Sequence, residues 1–459
     1  MTLEVKLENS KQDCLKVSKY NLSLRNDSNN YYLVNSLTCS VLRVPESSPS
    51  FIHSLLLKEE TPFNITIEED MKELLLSNGF LVPSYFDEID WLEKLHWESR
   101  HGCESLGIGI IPTLGCNFRC SYCYQKHDNV HTSSELENSI IKYISNNLNG
   151  KRLLKVMWFG GEPILRIKSI HNISQRLLCL IKSYNIKYYG TITTNGYLLT
   201  DENSSVLLDS GIKDIQVTID GPPSVHDTRR YLINNQPTFM TILSNLSRVA
   251  KMFSQVIIRI NIDKRNQDEI FQLLELLIPL KEYIVLAFRP ATSPNSPQIE
   301  ESWCVPPYSY WNLEKQLNVL ANQMGFRIIR GYAFPGTSFC SGYQQNSVTI
   351  DPYGDVHKCP ICIGRRNQRY GILSSNGDII VEERGIQNQW DKWSPFLDEE
   401  CRNCKALPLC MGGCLWFIGK DKKTSFQCFA KHRLVEGIVH EELRGVINSN
   451  VRKEVILGV

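Results

Sequence analysis

Three cysteines set the first constraint: Cys116, Cys120 and Cys123 stand at CxxxCxxC spacing within one short loop, Cys-Asn-Phe-Arg-Cys-Ser-Tyr-Cys. Three thiolates so close together suit three irons of a cubane 4Fe-4S cluster and leave the fourth iron without a protein ligand. An open iron is a binding position. Closed tetrahedral zinc is the alternative, and it needs a fourth ligand such as His127.

With Tyr122 before its last cysteine, the motif resembles the signature of radical S-adenosylmethionine (SAM) enzymes. The resemblance implies that the open iron chelates the amino and carboxylate groups of SAM. The reduced cluster would then cleave SAM to a 5'-deoxyadenosyl radical that abstracts hydrogen. Tyr122 is expected near the adenine. Further along, Phe159-Gly160-Gly161-Glu162-Pro163 resembles the family's GGEP segment, where glycines permit close backbone approach and the carboxylate suits an ammonium. Thr194-Asn195-Gly196 and Thr218-Ile219-Asp220-Gly221 offer hydroxyl, amide and carboxylate groups for the ribose and methionyl ends of SAM, or ordinary turns. Arg259 and Asn261 share one side of a strand by two-residue alternation, where Arg259 would pair with a carboxylate.

A second group of thiols lies toward the C-terminus. Cys340 is followed after thirteen residues by Gly354 and after four more by Cys359; then come Cys401-xx-Cys404-xxxxx-Cys410-xxx-Cys414 and finally Cys428. This order resembles the SPASM domain of peptide-modifying radical SAM enzymes. It implies two auxiliary 4Fe-4S clusters, the first on Cys340, Cys359 and Cys414, the second on Cys401, Cys404, Cys410 and Cys428. Some relatives close the first cluster with another cysteine near its first thiol, which the stretch 331–339 lacks. An open iron results, or closure by Cys362 or Cys304. A zinc ribbon on Cys401, Cys404, Cys410 and Cys414 is the competing reading, and it leaves Cys340, Cys359 and Cys428 unexplained.

The branch that makes formylglycine in sulfatases carries an Asp directly after the second SPASM cysteine as its base. Pro360 stands there. The departure favours maturases of ribosomally made precursor peptides that form thioether or C-C crosslinks, with sulfatase maturation or peptide epimerisation as alternatives. Asp355 and His357 are candidate bases near the first auxiliary group, with a solvent-exposed hairpin turn as their ordinary role. A flavodoxin or ferredoxin is the electron donor the resemblance implies.

These groups need elements to position them. From 106 to 290, short apolar runs alternate with amphipathic stretches, the pattern of repeated βα units. Strands are predicted at Leu106–Thr113, Leu153–Phe159, Lys187–Thr193, Lys213–Ile219, Val256–Asn261 and Tyr283–Phe288. Every motif of the first group falls at a strand's C-terminal end, where parallel α/β folds gather reacting groups. Six units are too few for an eight-stranded closed barrel, so an α/β fold with a partial (βα)6 barrel is expected. A capping box at Ser134 and Glu137 should start one helix, and Thr200 or Asp201 another.

The expected domains are an N-terminal α+β unit over 1–97, the barrel over 98–300, a bridge over 301–335 and the SPASM domain over 336–459, ending in a helix. In the first, strands at Tyr20–Arg25 and Tyr31–Asn35 precede the segment Ile67–Leu81, where Met71, Leu74, Leu75 and Leu76 recur at helical spacing before a stop at Gly79. This unit is either a packing cap or a winged-helix-like module that adds a strand edge to a leader peptide.

Composition narrows the class. Lys plus Arg total 50 against 49 Asp plus Glu in 459 residues, so the basic footprint of a nucleic-acid binder is absent. No apolar stretch has the length to span a bilayer and the N-terminus has no signal-like apolar region, which points to the cytoplasm. Sixteen cysteines in a reducing compartment read as metal ligands more readily than as disulfides. Cys14, Cys39, Cys103, Cys179 and Cys304 lack motif spacing and read as incidental thiols.

Overall fold

The structure, a computed structural model, describes residues 15–25, 31–44, 69–102, 104–291, 300–329, 340–382 and 389–414. Cys14, Cys103, Cys428 and the expected C-terminal helix lie outside them. The chain divides into two compact units. One comprises residues 101–330 and 340–392; the other joins 1–100 to 331–339 and 393–459.

The larger unit is built on one sheet. Its strands β6 (Ser105–Ile110), β7 (Leu153–Trp158), β8 (Lys187–Thr194), β9 (Ile212–Thr218), β10 (Gln255–Ile262) and β11 (Ile284–Pro290) pair in parallel and in sequence order. Helices α3 (Ser134–Asn147), α4 (Ile167–Tyr184), α5 (Asp201–Asp209), α7 (Phe239–Val249) and α8 (Ile270–Leu277) fill the connections, with the short α6 (Pro223–Arg229) before α7. These are the six βα units of a partial barrel. Parallel neighbours demand such crossovers, because a hairpin cannot join them. Along β10, Val256, Ile258, Ile260 and Ile262 are fully buried, whereas the alternating Ile257, Arg259 and Asn261 are only partly covered. The period of two thus separates a packing face from a face that remains accessible.

The sheet continues past both ends of that series. Beyond β11 the bridge contributes α9 (Pro307–Gln323) and a short β12 (Arg327–Ile328), parallel to β11. Beside β6, β13 (Ser347–Ile350) pairs in parallel, followed by the antiparallel β14 (Asp355–His357), β15 (Gly371–Leu373) and β16 (Ile379–Val381). Periodicity predicts six strands, and among the described residues this single sheet has eleven. The added strands are two to four residues long, too short for a periodic signal.

The predicted helix starts need one correction. Thr200 caps α5 as expected, accepting from Asn203 N at 3.2 Å. For α3 the cap is Ser133, not Ser134, with its hydroxyl accepting from Leu136 N at 3.2 Å. Glu137 does not complete a capping box, because its buried carboxylate is bonded instead by Ser169 Oγ and, at 2.8 Å, by Asn172 Nδ2 of α4.

In the other unit, β2 (Asn21–Arg25), β3 (Tyr31–Asn35) and β4 (Ser40–Val44) form an antiparallel sheet. β1 (Leu15–Val17) pairs with β5 (Leu81–Pro83), and α1 (Glu69–Ser77) and α2 (Glu88–His101) complete the N-terminal part. The helix expected to stop at Gly79 ends at Ser77: Gly79 takes a left-handed φ of +76°, and Leu81 belongs to β5. Asn35 is the polar centre of this part and is fully buried. Its Nδ2 lies 2.8 Å from the Gly79 carbonyl and 2.9 Å from Ser18 Oγ and Asn21 Oδ1. Its Oδ1 accepts from Leu37 N at 2.9 Å and Thr38 N at 3.0 Å.

Among the described residues no helix is long and apolar enough to cross a membrane. Asn35→Ala leaves several buried partners unpaired and should cost roughly 2–4 kcal/mol. Urea unfolding checks this, and an unchanged midpoint would contradict the central role of Asn35.

Candidate active site

The cysteine loop after β6 has little regular structure of its own, and its neighbours hold it from two sides. On one side the segment after α6 runs antiparallel to it. Arg119 N donates to Tyr231 O at 2.8 Å, Ser121 N to Arg229 O at 2.9 Å and Ile233 N to Asn117 O at 2.9 Å, with Phe118 bridged to Leu232. On the other side lies the Gly-Gly turn after β7. Gly161 N donates to Thr113 O at 3.1 Å and Glu162 N to Gly115 O at 2.9 Å.

This packing explains the glycines. A Cβ on Gly161 would stand 2.1 Å from the Gly115 carbonyl oxygen. Gly160 adopts φ +128°, and a Cβ there would meet Ile111 Cγ2 at 2.5 Å. The close approach these glycines permit is to the start of the cysteine loop. Glu162 is fully buried and its carboxylate accepts three hydrogen bonds: Thr194 Oγ1 at 2.7 Å, Asn195 N at 2.8 Å and Ile164 N at 3.0 Å. Burial raises its pKa against these bonds. Glu162 therefore ties the end of β8 to the turn after β7, and Pro163 opens the following 3-10 turn. Asn195 Nδ2 in turn bonds Asn117 Oδ1 inside the cysteine loop at 2.8 Å.

Tyr122 anchors the loop's far end. Its hydroxyl donates to the fully buried Asp220, and it receives Arg230 Nη1 at 2.6 Å and Asn261 Nδ2 at 3.3 Å. Asp220 Oδ1 accepts from Asn261 N at 2.8 Å, and Arg229 Nε approaches Asp220 Oδ2 at 3.9 Å. Arg229 also bonds both oxygens of buried Asp263, at 2.9 and 2.8 Å, and lies 5.3 Å from the Tyr122 ring centre. Two buried cations thus face two buried carboxylates, the arrangement that offsets desolvation. Burial opposes the charge on Arg230, but Cys120, Tyr122 and Asp220 outweigh it and hold its pKa well up. Burial and the two arginines push His226 well down, so it stays neutral, with Nδ1 accepting from Asp220 N at 3.3 Å.

Of the residues singled out from sequence, Tyr122, Asp220 and Asn261 meet in this network, and Glu162, Thr194 and Asn195 meet in the one before it. Arg259 is joined to Asn261, its Nε donating to Oδ1 at 2.8 Å. Thr218 ends β9 and is buried. Sequence reading missed Arg229, Arg230, Asp263 and Asn266, whose Nδ2 donates to Asp220 O at 2.6 Å. The signal was present in Pro223-Ser-Val-His226-Asp-Thr-Arg229-Arg230, where His226 stands three and four residues before the arginines on one helical turn.

The loop fits a metal cluster by its donors. Phe118 N donates to Cys116 Sγ at 3.3 Å, so a backbone N–H already faces one sulfur. Burial pushes the thiols up, Cys116 to about 12 with help from Glu162, Cys120 to about 11, and Cys123 in the same direction. Bound cationic iron would stabilise the thiolates that burial disfavours. His127 is perturbed by burial, Arg119 and Asp128. Among the described residues no group of three or more His, Cys, Asp or Glu side chains is drawn together as a ligand set for a single ion.

Asp355 and His357 require a correction. They lie in β14, beyond the turn at 352–354, and both are buried. Asp355 pairs with Arg369 at 2.9 Å and Arg366 at 3.4 Å; His357 Nε2 lies 3.1 Å from Asp351 Oδ2. Neither is an exposed turn residue, because this hairpin extends the large sheet. Nearby, Cys359 directly precedes the 3-10 turn Pro360–Cys362, Cys362 helps push the Cys359 thiol up, and Cys340 Sγ accepts from Gly342 N at 3.4 Å. Cys304 contacts Glu300 O at 3.9 Å. Tyr124, also missed, is pushed up to about 12 by burial, then by Cys123 and Cys359 against the lowering effects of Gln125 and Arg259. In the other unit Cys401, Cys404 and Cys410 lie on or beside the helical turns Glu399–Arg402 and Leu407–Cys410, followed by left-handed Met411, Gly412 and Gly413 before Cys414.

Residues 110–277 match the sequence model of the Radical SAM superfamily. The cysteine-type anaerobic sulfatase-maturating enzyme of Clostridium perfringens is 25% identical over 342 residues, 67% of this chain and 88% of that protein. The mycofactocin maturase MftC of Mycolicibacterium smegmatis is 24% identical over 329 residues, 66% of this chain and 76% of its own length. The crystal structure of Streptococcus suis SuiB bound to precursor peptide SuiA superposes with a TM-score of 0.52 at 13% identity, covering 90% of this chain and 98% of SuiB.

Asp220→Ala should cost on the order of 3 kcal/mol, because it strips compensation from two buried arginines. Tyr122→Phe should cost about 1 kcal/mol. Denaturant unfolding of both variants measures the difference, and equal losses would contradict the placement of Asp220 at the network's centre.

Proposed function

We propose, for a chain that belongs to the radical SAM superfamily, that it is a maturase that abstracts hydrogen from a ribosomally made precursor peptide and forms an intrapeptide thioether or C-C crosslink. When bound, a 4Fe-4S cluster and SAM would supply an electron and a 5'-deoxyadenosyl radical. Cys116, Cys120 and Cys123 would hold that cluster. Gly160, Gly161, Glu162 and Pro163 would position the loop, while Thr194, Asn195, Thr218, Asp220, Arg259, Asn261 and Tyr122 would shape the SAM side. The partly covered Arg259 and Asn261 offer the polar groups for a carboxylate and hydroxyls.

Two auxiliary 4Fe-4S clusters complete the reading. The position of Cys359 and Cys362 at the two ends of one 3-10 turn supports Cys362, rather than Cys304, as an additional ligand of the first. Cys401, Cys404, Cys410 and Cys428 would hold the second. A flavodoxin or ferredoxin would deliver the electrons.

The observation that carries the crosslinking reading is Pro360, which follows Cys359 and has no group to accept a proton. The candidate bases Asp355 and His357 do not replace one there, since both are engaged in buried pairs. Sulfatase maturation is the second reading, favoured by the similarity to the Clostridium perfringens enzyme. Coexpression with small reading frames encoded beside the gene, followed by mass measurement of each peptide, separates the outcomes. Loss of two hydrogens supports a crosslink, an unchanged mass with altered stereochemistry supports epimerisation, and loss of cysteine sulfur from a sulfatase supports formylglycine.

Cys120→Ala should abolish SAM cleavage while auxiliary iron remains, whereas Cys404→Ala should retain uncoupled cleavage. Quantifying 5'-deoxyadenosine together with iron per chain checks both. Cleavage by Cys120→Ala at the parent rate would remove the catalytic loop from the proposal.

A further inference from the structure

The cysteine loop carries one cation of its own. Within Cys116–Cys123 only Arg119 is basic, and a guanidinium stays charged at every ordinary pH. The backbone around it is fixed from outside the loop: Arg119 N donates to Tyr231 O at 2.8 Å, and the fully buried Phe118 is bridged to Leu232. The side chain does not leave the loop. Nη1 turns back and donates to Cys116 O at 2.9 Å and to Phe118 O at 2.7 Å. Arg119 is half-buried, and among the described residues no carboxylate forms an ion pair with it.

The other cations of the site are matched differently. Arg229 pairs with Asp263 at 2.8 Å, and Arg230 bonds the Tyr122 hydroxyl at 2.6 Å, which in turn donates to Asp220. Arg119 faces neutral carbonyls instead. Because Nη1 bonds the Cys116 carbonyl, ordinary bond lengths hold it within about 8 Å of Cys116 Sγ. A half-buried charge at that range is little screened by salt. The two bonds also draw the carbonyl oxygens toward the guanidinium, while Phe118 N donates to Cys116 Sγ at 3.3 Å. At the loop's other end, burial pushes the Cys123 thiol up, against the Gln125 backbone, Arg230 and Arg119.

We infer that Arg119 is a positioning residue that raises the reduction potential of the cluster held by Cys116, Cys120 and Cys123. The proposal rests on the reading of those three thiols as cluster ligands. Reduction is a one-electron step in which a flavodoxin- or ferredoxin-type donor is oxidised and the cluster gains one negative charge, with no bond made or broken at Arg119. A fixed cation stabilises the more negative, reduced cluster over the oxidised one, and net charge is among the properties that set iron-sulfur potentials. Arg119 thus brings the cluster within reach of a milder donor.

The test is a redox titration of the full-length, iron-loaded protein without SAM, read by electron paramagnetic resonance. The catalytic signal is identified as the one lost in Cys120→Ala. Arg119→Gln, whose amide can still donate to a carbonyl, should keep its iron and sulfide and move that signal to lower potential by roughly tenfold in the reduction equilibrium, about 59 mV for one electron. Arg119→Lys keeps the charge and should stay closer to the parent than to Arg119→Gln. The other signals should stay in place. An unmoved catalytic potential in iron-complete Arg119→Gln overturns the proposal. Equal shifts in the Lys and Gln variants overturn it as well, because charge would not be the cause. Loss of iron from Arg119→Gln does the same, since the guanidinium would then be a strut of the loop. If Cys120→Ala loses neither iron nor signal, the cluster reading itself fails, an outcome separate from any result at position 119.

Discussion

The loop from Cys116 to Cys123 cannot hold three partly buried thiols together by itself. Everything at the barrel's C-terminal end serves that constraint. The loop is paired along one side by residues 229–233 and met on the other by the Gly160-Gly161 turn, so its backbone polar groups find partners where water is largely excluded. Glycine is required because the turn's backbone lies in contact with the loop's own carbonyls. Glu162 then fixes the turn to the end of β8, and through Asn195 and Asn117 the contact returns to the cysteine loop.

Electrostatics follows from this packing. Burying thiols raises the cost of ionising them, and burying Asp220 and Asp263 beside them would be prohibitive without Arg229 and Arg230. The helical turn 226–230 therefore has two tasks. It supplies the cations, and the chain leaving it supplies the strand-like partner of the cysteine loop. Tyr122 connects the two through its hydroxyl, which receives Arg230 and donates to Asp220. An aromatic in the motif thus has a polar role within the protein as well as any role toward a ligand.

The second unit follows a related logic. A segment of short helical turns and consecutive left-handed residues at 411–413 has few regular hydrogen bonds, and its apolar side chains bury against β3, Tyr20 and Leu37. N-terminal residues and the 401–410 cysteines thereby share one core, although some 360 residues of chain separate them. The expected boundary at residue 97 marks the end of an N-terminal stretch, but that stretch and residues 393–459 belong to one compact unit.

The six parallel strands and the site motifs at their ends were legible in the sequence, because buried parallel strands produce apolar runs and thiol spacing is a local property. Thr200 as a cap follows from the same local rules, whereas the meeting of Tyr122, Asp220 and Asn261 depends on the strands being brought side by side. The tertiary structure alone decided that Ser133 rather than Ser134 caps α3, since Glu137 found buried partners on α4 that outcompete a capping box. It alone paired β13 with β6 and so buried Asp355 and His357, because three- and four-residue strands carry too little period to announce their neighbours. Arg229 and Arg230 gained their meaning only when folding removed water from around Asp220 and Asp263, for a charge's partner is set by proximity in space and by burial, and neither is written in spacing along the chain.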